Sequence, residues 1–151
     1  MMISAIIIIS VIILDLITKY WAINQLQPVG SIPVIENIFH LTYVENRGAA
    51  FGMLQNQRLF FIIMTTAITL GVIIFILKNK NMHLLLKIGL SLVVGGAIGN
   101  LIDRIRYGYV VDLFDFRIWP VFNIADCGVV VGALLISYII LKYDSIKPEE
   151  S

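Results

Sequence analysis

The sequence predicts an all-α integral membrane protein: four transmembrane helices, a small extracytoplasmic β-sheet between helices 1 and 2, and a single domain over residues 1–151. Three observations carry that prediction. A composition of 59% hydrophobic and 14% charged residues, with a mean hydropathy of +0.92, is too apolar for an ordinary soluble domain. Four apolar stretches, about 1–23, 59–77, 84–102 and 121–141, can each cross a hydrocarbon core of about 30 Å, which takes around 20 helical residues. One connection, between the first two stretches, is too long and too patterned to be a bare loop. A net charge of +1 argues against nucleic acid or an acidic partner as the main target. The single cysteine, Cys127, excludes an internal disulfide and any cysteine-based zinc cluster.

Residues 1–23 carry no basic leader and no small-x-small cleavage site, and three further spans follow, so this segment reads as a retained helix. The connection over 24–58 spans 35 residues, too many for a structureless loop in a compact protein. Within it Phe39, Leu41 and Tyr43 alternate with His40, Thr42 and Val44, the period-two pattern of a half-buried strand. Pro28, Gly30 and Pro33 before it, and Gly48 and Gly52 after it, supply turns. A β-rich segment over about 28–52, at the membrane surface, is the expected product. A short turn over 78–83 joins helices 2 and 3, and a longer polar link over 103–120 joins helices 3 and 4 on the side of the β-rich segment. Gly95 with Gly99, and Gly128 with Gly132, give small-xxx-small faces for close helix packing. Tyr20, Trp21 and Trp119 read as interfacial anchors. Each side of the membrane holds five lysines or arginines outside the first span, so basic count does not orient the chain; net charge leaves the lysine-rich side more positive and favours cytoplasmic termini.

Against this apolar background, Asp15, Lys19, Asn46, Asn100, Asp103, Arg104, Asp112, Asn123 and Asp126 stand in or at the ends of the spans. A charge near hydrocarbon costs about 2.5 to 3.5 kcal/mol on insertion scales, so such groups mark a site. Depth arithmetic brings them to one level. At about 1.5 Å per helical residue, Asp15 lies about 20 Å along helix 1 and Asp126 about a turn inside helix 4 from the same face. Asn100 and Asp103 close helix 3 there, and Asp112 lies in the adjoining loop. Asp15 and Lys19, four apart, share a helix face and can pair, as a structural tie or as part of the site. Asp112 and Asp126 are flanked by apolar residues. If they meet, such a desolvated carboxylate pair shares one proton near neutral pH: one member takes a proton from water while its protonated partner polarises a carbonyl. Arg104 offers five fixed donors to a carboxylate or a substrate carbonyl, and Asp103 beside it points elsewhere on the helix. Asn46, Asn100 and Asn123 suit orienting a substrate backbone or the dyad; capping and loop hydrogen bonding are the plainer alternative. At this point two functions stand open, a peptidase and a proton or ion relay using buried carboxylates.

Five motifs narrow the choice. Asn46-Arg47-Gly48-Ala49-Ala50-Phe51, Gly99-Asn100-Leu101-Ile102-Asp103-Arg104, Val110-Val111-Asp112 and Phe122-Asn123-Ile124-Ala125-Asp126, in that order, resemble the lipoprotein signal peptidase (signal peptidase II) family, and Asp15-Leu16-Ile17-Thr18-Lys19 resembles its helix 1 motif. The match runs from Asp15 to about Lys142. The resemblance implies an aspartic endopeptidase of the bacterial cytoplasmic membrane, with both termini cytoplasmic and the active site near the outer face. It would remove signal peptides from diacylglyceryl-modified prolipoproteins by cutting before the lipidated cysteine. It implies Asp112 and Asp126 as the catalytic pair, with Asp15, Lys19, Asn46, Gly48, Asn100, Asp103, Arg104 and Asn123 binding substrate or supporting the site. The sheet around 32–51 would cradle the substrate. The implied partners are prolipoproteins and membrane lipid, the implied state is a monomer, and neither metal nor organic cofactor is expected. The link between Asp112 and Asp126 is several residues shorter than in the family, which leaves the loop around Trp119 open.

The remaining motifs take plainer readings. A relay needs polar groups through the full membrane depth, whereas helices 2 and 4 are almost wholly apolar in their cytoplasmic halves. Cys127 has no histidine at its level, and His40 and His83 fall on opposite sides, so neither a thiol mechanism nor a shared metal site is expected. Gly89-Leu90-Ser91-Leu92 lacks the second glycine and the partner histidine of a serine membrane protease.

Overall fold

The computed structural model describes residues 2–48 and 56–144. In chain order its elements are α1 (Met2–Trp21), a π-helical turn (Ala22–Leu26), β1 (Ser31–Ile35), β2 (Phe39–Asn46), α2 (Arg58–Lys78), α3 (Leu84–Arg106), β3 (Val110–Asp115) and α4 (Ile124–Asp144). All four long helices are apolar and long enough to cross a membrane. The predicted β-rich segment supplies β1 and β2, and its residues 49–52 lie outside the described residues.

The sheet has a contributor from outside that segment. β3 comes from the link between α3 and α4 and completes a three-stranded antiparallel sheet in the order β1-β2-β3. Asp112 therefore stands on a strand, not in a loop. Val110 to Leu113 are all buried, so the run shows no polar-apolar alternation and carries no period-two signal.

A second correction concerns α3, which continues to Arg106, so Asp103 and Arg104 belong to its last turns instead of closing it or lying beyond it. The extension is held from α2: Arg58 donates from Nε to the Arg104 carbonyl and from Nη2 to the Ile105 carbonyl, both at 2.8 Å, satisfying carbonyls a helix end leaves open. Gly108, at φ +85°, then turns the chain in the left-handed conformation that glycine adopts without strain.

α3 is the hub, packing against α4, α1 and α2. Its small residues set the distances. A Cβ on Gly95 would stand 2.9 Å from Val11 Cβ of α1, and one on Gly89 would stand 2.9 Å from the Gly132 carbonyl of α4. The two glycine faces thus serve close packing as predicted. Gly96, outside either predicted pair, lies against the Ala125 carbonyl with no room for a side chain. The sheet is seated on the end of α1: Ala22 and Leu26 of the π-helical turn form a buried cluster with Val111 and Leu113 of β3. That seating brings β3 across the top of α1, α3 and α4.

Candidate active site

The site is assembled around the first turn of α4. Asn123 caps it, accepting the Asp126 amide through Oδ1 at 2.9 Å, and the Asp126 carboxylate accepts the Asn123 amide in return at 3.3 Å. A third free amide of that turn, Ala125 N–H, is taken by Asp15 Oδ1 of α1 at 2.9 Å. Capping from a different helix ties α1 to α4, and the glycine at position 99 makes it possible, since a Cβ there would lie 2.6 Å from Asp15 Oδ2.

Lys19 is 2% exposed and sits between two carboxylates, with Nζ 2.8 Å from Asp15 Oδ2 and 2.9 Å from Asp103 Oδ2. Its third contact is Asn100 Oδ1, which accepts at 3.0 Å, so two carboxylates and one amide oxygen surround the ammonium. Asp103 passes the connection on by accepting the Val111 amide of β3 at 3.0 Å. The Asp15–Lys19 pairing expected from i,i+4 spacing is present, and Asp103 makes it a buried triad joining α1, α3 and β3.

Asp112 and Asp126 are held differently. Asp112, 1% exposed, accepts Asn46 Nδ2 at 3.0 Å and Asn123 Nδ2 at 2.6 Å. Asp126, half-buried, accepts Asn100 Nδ2 at 2.7 Å. No lysine or arginine forms an ion pair with either carboxylate among the described residues. Burial pushes the Asp112 carboxyl up to about 7; the Asp126 charge adds to the rise, and the Asn46 and Asn123 bonds and the Lys19 charge oppose it.

The three asparagines share one logic. Each has its oxygen fixed by a group that only donates: Gly48 N–H on Asn46 Oδ1 at 3.0 Å, Asp126 N–H on Asn123 Oδ1, and Lys19 on Asn100 Oδ1. With the oxygen ends held, the NH2 ends face the aspartates, and the amide orientations follow from the network. The expected roles of Asn123 in capping and in the dyad turn out to coexist in one side chain.

Among the described residues Arg104 meets main chain and not a carboxylate. Nη2 donates to the Gly48 carbonyl at 3.2 Å, and the guanidinium lies 4.8 Å from the Phe61 ring centroid of α2. It fixes the Asn46–Gly48 turn that presents Asn46, and Gly48 is buried beneath it. Asp103 does point away from Arg104, toward Lys19.

These groups line one wall of a cleft of about 920 Å³. Asn46, Gly48, Asn100, Arg104, Asp112 and Asp126 supply its polar wall, while Trp119 to Phe122 and Val129 to Val131 of α4 supply an apolar one. All ten predicted site residues fall in one network: six line the cleft, Asn123 joins the two aspartates from behind, and Asp15, Lys19 and Asp103 form the closed triad. Residue spacing had no means of finding Arg58 or Phe61, whose roles depend on which helix α2 meets. Such an arrangement can hold a water and an extended peptide against two carboxylates in an otherwise apolar surround.

Comparison with known proteins agrees along the chain. The family model described as signal peptidase (SPase) II matches residues 7–142. A lipoprotein signal peptidase of Caldanaerobacter subterraneus subsp. tengcongensis is 51% identical over 139 residues, covering 91% of this chain and 95% of that one. One from Clostridioides difficile is 49% identical over 146 residues, covering 95% and 98%. A bacterial membrane enzyme solved by the in meso method at 2.3 Å superposes with a TM-score of 0.90 at 35% identity, covering 100% of this chain and 94% of that one.

Proposed function

The chain belongs to the signal peptidase II family, and from that membership and the site's geometry we propose that it cuts signal peptides from diacylglyceryl-modified prolipoproteins by water activated between Asp112 and Asp126. One observation carries the aspartic mechanism: two carboxylates, bonded to neutral amides and, among the described residues, to no cation, face a large cleft. A pair of this kind carries one proton between them near neutral pH. Asp112, raised to about 7, exchanges that proton at working pH, while half-buried Asp126 meets the water. The ionised aspartate removes a proton from water as its oxygen attacks the scissile carbonyl carbon. The protonated aspartate donates to the carbonyl oxygen, giving a tetrahedral diol. On collapse the C–N bond breaks, the amine takes the proton first removed from water, and the diol returns its own to the dyad. The balance is peptide and water to acid and amine, with the dyad restored.

The other site residues position these two. Asn46 and Asn123 hold Asp112, Asn100 holds Asp126, and the Asp15–Lys19–Asp103 triad holds Asn100 and the α4 cap. Gly48 and Arg104 present the turn against which a substrate backbone would lie. The apolar wall of Val129 to Val131 suits acyl chains arriving from the bilayer. The working unit is read as a monomer. Both termini are read as cytoplasmic, with the site near the outer face, where a lipidated precursor presents its cleavage region. The relay alternative lacks support: among the described residues, the buried polar side chains deeper in the bundle are hydroxyls alone, Ser4, Thr69 and Ser91.

The test uses purified protein in lipid with a diacylglyceryl-modified prolipoprotein and its unmodified form, read by mobility shift for wild type and Asp126→Asn. Cleavage by wild type alone, and of the lipidated form alone, is the expected result. Equal cleavage by Asp126→Asn removes the dyad, and equal cleavage of the unmodified precursor removes the lipid requirement.

A further inference from the structure

Outside the four spans, an exposed apolar surface lies at the end of the sheet away from Asn46. Ile35 and Ile38 flank the turn between β1 and β2, and Phe116, Ile118 and Trp119 form the tip of the loop between β3 and α4. The two are joined through Phe39, whose ring centroid lies 4.8 Å from that of Phe116. Ile118 is 94% exposed and Trp119 60%. A contiguous apolar patch on a folded domain marks a surface with a partner.

The tip is held in this presentation. Arg117 adopts φ +64°, left-handed for a residue that has no conformational excuse for it, and Ile118 N–H bonds to the Phe116 carbonyl at 2.7 Å, forming a strained γ-turn. Asp115 fixes that turn. It accepts the Arg117 amide at 2.8 Å and the Arg117 guanidinium at 3.2 Å, and is itself braced by the Thr42 hydroxyl of β2 at 3.0 Å. Behind the tip, Phe116 stacks on Phe122 with ring planes 6° apart, and Phe122 is bridged to Phe114 of β3. Strain kept in place by three hydrogen bonds and a ring stack, so that two large apolar side chains point outward, calls for a function.

The partner is named by continuity with the membrane-spanning part of the cleft. Trp119 lines the same cleft as Val129, Val130 and Val131, which belong to the membrane-spanning part of α4, so the tip stands at the level where the cleft meets the bilayer. Ile118 and Trp119, an aliphatic and an aromatic side chain adjacent at that level, suit the boundary between headgroups and acyl chains. We infer that the Phe116–Trp119 tip is a rigid interfacial anchor that sinks into the phospholipid headgroup layer and holds the mouth of the cleft at bilayer level. Its biological purpose rests on the reading of the cleft as a peptidase site; its location does not, and the test needs no substrate.

Trp21 and Trp119 are the two tryptophans of the chain, so Trp21→Phe leaves Trp119 as the sole reporter. That protein is placed in phosphatidylcholine–phosphatidylglycerol vesicles, with acyl chains brominated near the headgroup for one series and iodide on both sides of the membrane for another. The anchor predicts quenching of at least about twofold by brominated lipid and little by iodide. Ile118→Glu in the same background should halve the lipid quenching and shift emission to the red, with the melting temperature unchanged. Strong iodide quenching with no lipid quenching overturns the inference. So does lipid quenching indifferent to Ile118→Glu, which would assign it to the cleft wall. Quenching that follows protein density instead of bromolipid content would put a second copy of the chain on the patch and overturns it as well.

Discussion

Two carboxylate pairs lie side by side in this protein, and they have opposite fates. Asp15 and Asp103 share the ammonium of Lys19 and are buried; Asp15 gives its other oxygen to the Ala125 amide of α4, and Asp103 accepts the Val111 amide of β3 on the same Oδ2 that faces Lys19. Asp112 and Asp126 receive asparagine amides and open, through Asp126, onto the cleft. The residue type is the same and so is the membrane level. What separates a structural tie from a chemical centre is the partner: Lys19 neutralises its two carboxylates in place, whereas the asparagine amides orient Asp112 without cancelling its charge, and burial drives its carboxyl up in spite of them. The pairs communicate through Asn100, whose oxygen faces Lys19 and whose nitrogen faces Asp126.

The contrast is broken most severely at the dyad. Asp112→Asn or Asp126→Asn should lower the cleavage rate by about 10³-fold or more, the loss of a general acid or base in a paired mechanism, with the fold kept, as rates on lipidated precursor will show. Lys19→Met comes next. It leaves two buried carboxylates without a counterion and should cost about 3–5 kcal/mol, seen as a large drop in melting temperature in detergent. Adding Asp103→Asn to that variant should restore part of the loss, because one stranded charge is then gone.

The pH dependence of stability sharpens the difference. Asp112 moves from 3.8 to about 7 on folding, so between those values the folded state binds the proton that the unfolded state has released. Its contribution is therefore fully present below about pH 4, declines as pH rises toward 7, and is flat above, with a ceiling of a few kcal/mol. Melting curves of wild type across that window should show this decline superimposed on other groups, and Asp112→Asn should lack it. The smallest effect is expected at the joint between the pairs. Gly99→Ala puts a Cβ 2.6 Å from Asp15 Oδ2 and should cost about 1–3 kcal/mol by displacing the cap on α4, with activity falling in step with stability.

Much of this architecture was legible in the residues, for identifiable reasons. Spans are long and apolar, and a charge within one is expensive enough that Asp15, Lys19 and Asp126 announce themselves. Depth along a helix then placed them at one level. β3 escaped because burial on both faces erases alternation, so Val110 to Leu113 look like any short apolar run. The continuation of α3 to Arg106 escaped because it is stabilised by Arg58, 46 residues earlier in the chain, and no local signal records that bond. The asparagines were recognised as site residues but not their orientations. Those depend on which donor reaches each oxygen, a property of the assembled network. Arg104 donates to the Gly48 carbonyl, a contact that residue type alone does not indicate, since it depends on the turn at Asn46 packing over α3.

The most direct test of the division between the two pairs is made on one sample, Asp112→Asn at pH 8, measured for thermal unfolding and for cleavage of lipidated precursor against wild type. Removing a carboxylate whose ionisation opposes folding offsets the loss of one acceptor oxygen facing Asn46 or Asn123, so the melting temperature should stay within a few degrees of wild type while cleavage disappears. A melting temperature several degrees lower, or cleavage at the wild-type rate, would contradict the assignment of Asp112 to chemistry and return it to the structural network.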